Sequence, residues 1–237
     1  MSDKNTLFNI IRNSLFGKAT KQLRKARFMP RLEQCEERVV PATYTWDGAT
    51  TTLAVTFVAG DSGITSLKIY KSGGTVEIDT SAGNVSTITP ESGGTDDVSP
   101  LAGVITTITI NTTAYTDQNL SIDLSALTAS FTALTSITLS ANATKTNTLT
   151  APNDSGAIST FTVSSANGGT GTIANLYRAT SNLTFTNINA IVAGDGHDTF
   201  IIGAGSLSGT ITGGSGDNSL SFVGNAAGVS VTLTTGA

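Results

Sequence analysis

The chain has 237 residues, of which 13% are charged and 38% are hydrophobic, and Ser and Thr together exceed a quarter of the sequence. It contains one Cys, one His and one Trp, which excludes a disulfide scaffold and a Cys/His zinc site. No run of about 20 apolar residues occurs, so no transmembrane helix is predicted. The low charge and this hydrophobic content also argue against a coiled coil and against intrinsic disorder.

Charge divides the sequence into a basic head and an acidic body. Residues 1–40 hold nine bases and four acids, a net charge of +5. Residues 41–237 hold four bases and thirteen acids, a net charge of −9, which together with the head gives the −4 of the whole chain. We therefore predict two segments with different roles, a targeting head at 1–42 and a folded body at 43–237.

The head begins with apolar residues near helical spacing between Leu7 and Phe16, followed by a basic run from Lys18 to Arg27. This pattern predicts a basic amphipathic segment that contacts an anionic membrane surface or the export machinery. The alternative is a poorly ordered leader whose bases are merely solvated. An ordinary secretory signal peptide would need an uninterrupted apolar stretch after the charges, and the sequence has none there.

The head ends in a short motif that runs from Arg31 to Ala42. It resembles the R-L-E-x-L-E-x-R-x-V-P-A segment near the start of large planctomycete-type surface and secreted proteins. The motif is matched at these positions: Arg31, Leu32, Glu33, Glu36, Arg38, Val40, Pro41 and Ala42. Cys35 stands where the family usually has Leu, and we interpret it as a small apolar residue. The resemblance implies an N-terminal targeting segment ahead of an exported body.

The body repeats a short template in which an aliphatic residue and two small residues precede an alternating apolar pair. The copies lie at 64–69, 85–90, 105–110, 134–139 and 158–163, and the copy at 85–90 is imperfect because Pro90 replaces its last aliphatic residue. Repeats at 20–30 residues are typical of solenoids, and alternating Thr, Ile and Val are typical of strands. We therefore predict an all-β fold, a parallel β-solenoid over 43–237, with a β-sandwich as the alternative.

Two Gly-Asp segments near the C-terminus carry the candidate site, 193–201 and 213–221. Both resemble the G-G-x-G-x-D-x-U-x repeat of haemolysin-type (RTX) calcium-binding proteins, and the segment 228–236 is similar to the one that comes after such turns in that family. The resemblance implies calcium as the one cofactor, with Asp195, Asp198 and Asp217 as candidate ligands. The alternative is a pair of tight corners with solvated side chains, and His197 is interpreted as a turn residue.

The sequence lacks the common enzyme motifs, and the four bases of the body are scattered, so we predict no catalytic activity. A body with a net charge of −9 also disfavours nucleic acid as a partner. We expect an extracellular or cell-surface structural and adhesion protein that associates with itself, with further repeats of the same chain, or with matrix and glycans. The alternatives are a calcium-binding module and the stalk of a larger secreted enzyme. We also expect the sequence to be the N-terminal part of a longer solenoid.

Overall fold

The computed structural model describes residues 42–72, 75–80, 85–86, 89–90, 102–127, 130–153, 158–175 and 178–226. For residues 85–86, 89–90, 174–175 and 178–179 only the backbone is described. The predicted targeting head, with its motif and Cys35, therefore lies outside the described residues except for Ala42. The same is true of segment 228–236. The boundary predicted at residue 42 stays a prediction.

The described residues form β-strands joined by turns and contain no helix long and apolar enough to cross a membrane. The prediction of an all-β body is confirmed. In chain order the strands are β1 (Thr43–Asp47), β2 (Thr52–Thr56), β3 (Ser66–Ser72), β4 (Thr75–Thr80), β5 (Val85–Ser86), β6 (Thr89–Pro90), β7 (Thr107–Asn111), β8 (Ser121–Asp123), β9 (Ser136–Ser140), β10 (Thr148–Thr150), β11 (Ser159–Ser165), β12 (Gly168–Asn175), β13 (Arg178–Thr186), β14 (Ala190–Val192), β15 (Thr199–Ile202), β16 (Ile211–Thr212) and β17 (Ser219–Ser221).

The strands belong to two sheets. Sheet A has the order β17-β15-β11-β12-β13-β9-β7-β2-β1-β6, and sheet B has the order β16-β14-β10-β8-β3-β4-β5. The chain alternates between the sheets from β7 to β11 and again from β13 to β17, so successive strands of one sheet are separated by a strand of the other. Ten of the fifteen described strand pairs are parallel. Parallel neighbours require crossover connections, which the strands of the other sheet supply.

Apolar side chains of sheet A lie in two columns that cross the strands. The first column consists of Leu53, Ile108, Ile137 and Leu183, which are in register in β2, β7, β9 and β13. The second consists of Val55, Ile110, Leu139 and Phe185 in the same strands. All eight side chains are buried. Because β-strand side chains alternate between the two faces, the Thr and Ser residues between them lie on the outer face of the sheet.

Sheet B has a matching column, made of Leu67, Ile122, Leu149, Ile191 and Ile211 in β3, β8, β10, β14 and β16. A third column in sheet A joins Phe161, Phe200 and Leu220. The rings of Phe161 and Phe200 are stacked, with centroids 5.2 Å apart and planes 14° apart. Except for the exposed Leu220, the residues of these columns therefore belong to one hydrophobic core built from strands that are distant in the sequence.

The predicted template copies are divided between the two sheets. Copies 105–110 and 134–139 lie side by side in β7 and β9, where Ile108 faces Ile137 across the ladder. Copy 64–69 lies in sheet B as part of β3, and copy 158–163 lies in β11 beside β12 and β15. A shared sequence pattern thus specifies a half-buried strand but does not specify its sheet, since the alternation is the same in both.

Five strand pairs are antiparallel, which a purely parallel stack does not include. The largest departure is the meander β11-β12-β13, which inserts two extra strands into sheet A. In β12, Gly169 and Gly171 take the places of apolar column residues, paired with Val163 and Phe161 of β11. A Cβ on Gly169 would overlap the carbonyl oxygen of Thr162, so the close approach of these strands requires glycine.

Candidate functional site

The two Gly-Asp segments form stacked turns that lead from sheet B back to sheet A. Turn 193–198 follows β14, and turn 213–218 follows β16. The backbone N–H of Gly196 donates to the carbonyl oxygen of Ser215 at 3.1 Å, so the second turn lies directly against the first. The two segments are 20 residues apart in the sequence because the chain passes through β15 of sheet A and β16 of sheet B between them.

Glycine is required in these turns for both conformation and space. Gly214 has φ = 74° and Gly216 has φ = 95°, in the left-handed region that other residues rarely adopt. A Cβ on Gly216 would overlap the carbonyl oxygen of Gly196, and one on Gly214 would overlap that of Gly194. Glycine at these positions thus allows the backbones of the two turns to pack in direct contact.

Asp198 is part of a hydrogen-bond ladder between neighbouring turns. Its Oδ1 accepts the backbone N–H of Ser159 at 3.2 Å, and its own backbone N–H donates to Asn218 Oδ1 at 3.0 Å. Asp198 and Asn218 thus occupy equivalent positions 20 residues apart, and the side chain of each accepts a hydrogen bond from the backbone N–H of a residue in the neighbouring strand or turn. The Asn218 amide also donates to the carbonyl oxygens of Gly214 and Gly216, at 3.3 and 3.4 Å.

The second oxygen of Asp198 is buried without a partner. The residue is 3% exposed, and its Oδ2 has no hydrogen-bond partner. Burial raises the pKa of the Asp198 carboxyl, and the hydrogen bonds from Ser159 oppose that rise only in part. A buried carboxylate oxygen in this state favours a proton or a cation at that position.

The other two predicted ligands lie in the same turns but are exposed. The backbone N–H of Asp195 donates to Asn153 Oδ1 at 2.8 Å, while the Asp195 side chain is exposed. The Asp217 carboxylate is almost fully exposed, and its Oδ2 is 3.9 Å from Nδ1 of His197. The turn position expected for His197 agrees with its own exposed side chain.

The two turns therefore hold all three predicted ligands, but Asp198 is buried whereas Asp195 and Asp217 are exposed. No cluster of three or more Asp, Glu, His or Cys side chains positioned to hold a metal ion occurs among the described residues. Calcium needs six to eight oxygens, so binding here would depend on backbone carbonyls and water in addition to Asp198. Calcium binding by Asp195, Asp198 and Asp217 stays a prediction.

A second buried carboxyl, Asp61, was not singled out from the sequence. It is 2% exposed, its Oδ2 accepts the N–H of Val58 at 2.8 Å, and its Oδ1 has no partner. Burial raises its pKa, and the hydrogen bond from Val58 opposes this. The sequence signal is the tight-turn composition Gly60-Asp61-Ser62-Gly63, which has the same chemistry as the C-terminal turns.

Asparagine ladders at the corners were also missed. Asn147 is buried and donates through its amide to the carbonyl oxygens of Asn142 and Asn187, both at 2.9 Å. Its backbone N–H donates to Asn189 Oδ1 at 2.7 Å. Single Asn residues follow or precede several strands in the sequence, but without the register their partners could not be assigned.

Comparison with known proteins adds no further assignment. No family model, no curated protein and no solved structure matches this chain.

Proposed function

We propose that this chain is an exported, non-enzymatic structural and adhesion protein of the cell surface or extracellular space, whose body is a parallel β-solenoid. The observation that carries the proposal is the set of in-register apolar columns that join strands from successive turns of the chain. One strand of sheet A and one of sheet B make a coil, and each coil is buried by its neighbours. Such an architecture extends along one axis and provides long regular faces.

The parallel pairing favours the solenoid over the alternative β-sandwich. A sandwich of the immunoglobulin type consists of antiparallel sheets with hairpin and Greek-key connections. In this chain β2, β7 and β9 are consecutive parallel neighbours. The connection from β7 to β9 passes through β8 of the other sheet, and that from β2 to β7 includes β3, β4 and β5 of the other sheet and β6 of sheet A. The antiparallel meander β11-β12-β13 is then an insertion between coils.

Export and a surface location rest on the N-terminal motif between Arg31 and Ala42 and its resemblance to planctomycete-type surface proteins. The test is protease treatment of intact cells of the native host that produce the chain with a C-terminal epitope tag. The proposal predicts loss of the tagged protein while a cytoplasmic marker survives. Protection of the tagged protein until the cells are lysed would contradict export.

Self-association, or contact with further coils, is supported by the last described residue of the phenylalanine column. Leu220 in β17 continues the column of Phe161 and Phe200 but is 47% exposed, and nearby Val223 is 78% exposed. A further coil of the same chain or a second copy would cover these side chains. Sedimentation velocity over a range of concentrations should detect the second case as a mass that rises with concentration.

Calcium binding is a second candidate function, favoured by one observation, the buried and unpartnered Oδ2 of Asp198. A ligand that binds only the folded chain raises its thermal midpoint by mass action. We expect excess calcium, compared with chelator, to raise the midpoint of the full chain by several degrees and to have no such effect on Asp198→Asn. An equal thermal midpoint in calcium and in chelator would contradict calcium binding and leave the two turns with a structural role.

A further inference from the structure

The outer face of sheet A has two continuous rows of hydroxyl side chains. In both rows the strands follow the order β2, β7, β9, β13, β12, β11, β15 and β17. Row one is Thr52, Thr107, Ser136, Asn182, Thr172, Thr160, Thr199 and Ser219. Row two is Ala54, Thr109, Thr138, Thr184, Thr170, Thr162, Ile201 and Ser221. Ten of these sixteen residues are Thr and three are Ser, so a hydroxyl stands at nearly every position.

The dimensions of this hydroxyl face follow from strand geometry. Neighbouring strands are about 4.8 Å apart, and the two rows are separated by two residues, or about 6.7 Å. Eight strands make each row about 34 Å long. The side chains of both rows are partly or fully exposed, whereas the residues of the first two apolar columns, which alternate with them, are buried. The face is therefore a periodic array rather than a pocket.

Most hydroxyls of row two form no hydrogen bond among the described residues. Within the described part of the chain, the five Thr side chains of that row form no hydrogen bond with another residue: Thr109, Thr138, Thr184, Thr170 and Thr162. In the corners, by contrast, Thr side chains do bind neighbouring groups, as Thr135 does to the carbonyl oxygen of Thr106 at 3.2 Å. The hydroxyls of row two are thus available to an external partner.

The charge distribution separates this face from the rest of the body. None of the sixteen residues in the two rows is charged, although the body carries a net charge of −9. The outer side of sheet B instead holds an ion pair, Lys68 Nζ to Asp123 Oδ2 at 3.1 Å. Tyr70 there donates to Glu77 Oε2 at 2.7 Å. A neutral face within an acidic body complements an uncharged partner and disfavours a polyanion.

We propose that the hydroxyl face of sheet A docks a neutral, extended polysaccharide. A periodic array of hydroxyls matches a polymer whose own hydroxyls repeat along a straight chain, and the Thr methyl groups supply apolar contact between them. A peptide strand would pair at a sheet edge rather than on this face. This inference rests on the surface function proposed above and assigns the glycan contact to one face.

The test uses the full chain, microcrystalline cellulose as the neutral polymer and a pectate gel as the anionic comparator. We expect the chain to sediment with cellulose, not with pectate, and to do so equally at about 0.1 and 1 M salt because no charge is involved. Thr138→Val/Thr184→Val keeps side-chain shape and removes two hydroxyls, and it should weaken cellulose binding about tenfold. The matched control, Thr148→Val/Thr150→Val on sheet B, should bind as wild type.

Thr138→Lys/Thr184→Lys places two charges on the same face and should abolish sedimentation; if this variant fails to fold, the valine pair carries the test. The inference is overturned if wild type does not bind cellulose, if both valine pairs weaken binding equally, or if pectate binds better. It is also overturned if Thr138→Val/Thr184→Val binds cellulose as wild type but no longer forms a dimer in sedimentation velocity. Protease accessibility on intact cells is independent of these results, so a surface-exposed chain without cellulose binding would contradict this inference alone.

Discussion

At the scale of single residues, the C-terminal turns depend on glycines that allow backbone to touch backbone. We expect Gly216→Ala to destabilise the fold by on the order of 1–3 kcal/mol, because alanine is strained at a φ of 95° and its Cβ would overlap Gly196. Urea unfolding followed by circular dichroism measures the change. Gly60→Ala is the control, since a Cβ there meets nothing within 4 Å, and it should change stability by less than about 0.5 kcal/mol. Equal losses for the two variants would contradict the stacked-turn geometry.

Asp198 gives a pH-dependent prediction. Burial raises the pKa of its carboxyl in the folded state, so the neutral form is favoured by folding. Its contribution to stability is fully present below the unfolded pKa of about 3.9 and is lost as the pH rises through the folded pKa. In chelator, Asp198→Asn should therefore gain stability over wild type as the pH rises from about 4 to about 7. Asn218 shows that an amide is accommodated at the equivalent position.

The measurement for Asp198 is the difference in urea midpoint between variant and wild type at the two pH values. Asp195→Asn, which removes an exposed carboxylate from the same turn, is the matched control for the loss of one negative charge. An Asp198→Asn variant that loses stability at the higher pH would show that the fold stabilises the carboxylate, contrary to the cost expected from its burial.

At the scale of the strands, each element gains its stability from a column rather than from its own contacts. Ile137 lies in β9 between Ile108 and Leu183 and is fully buried. We expect Ile137→Ala to cost about 2–5 kcal/mol, because it leaves a cavity in the middle of a column. Its neighbour Thr138 faces outward, and Thr138→Ala should cost less than about 1 kcal/mol. Thermal unfolding of both variants measures the two losses of stability, and similar losses would contradict the column.

The alternation of apolar and polar residues also explains which strands can be predicted from the sequence. The template predicts the copies at 105–110 and 134–139, and they are neighbours in register. The strand β2 in the same columns was missed, because Leu53 and Val55 do not follow the template's first aliphatic position. The antiparallel partner of β1 could not be predicted, since its four-residue connection from Gly48 to Thr51 is longer than the two-residue hairpin turn that an Asn-Gly or Asp-Gly dipeptide indicates.

The candidate site was predicted in part for a related reason. Composition located Asp198 in a glycine-rich turn, but its hydrogen-bond partners, Ser159 and Asn218, are 39 and 20 residues away. Without the register of the strands, Asp195, Asp198 and Asp217 are equivalent acids in similar turns. The structure separates one buried carboxyl from two exposed ones.

At the scale of the whole molecule, one repeated step accounts for the core, the corners and the outer faces. A strand of sheet A, a corner, a strand of sheet B and a second corner return the chain one strand further along sheet A from β7 to β9 and from β15 to β17, while the meander β11-β12-β13 adds two strands between these steps. This step buries Ile, Leu and Val between the sheets and leaves Thr and Ser on the outside. The proposed solenoid and the proposed glycan face both require that these strands are in register.

The most direct test of that register is thiol crosslinking in the full chain with Cys35→Ser, using a bifunctional reagent that spans about 5 Å, the distance between neighbouring strands. Thr109→Cys/Thr138→Cys and Thr138→Cys/Thr184→Cys place the thiols directly across β7, β9 and β13. We expect efficient intramolecular crosslinking in both pairs and little in Thr109→Cys/Thr148→Cys, whose members lie in different sheets. Crosslinking that is equal in all three pairs, or absent from the first two, would contradict the coil on which both proposals depend.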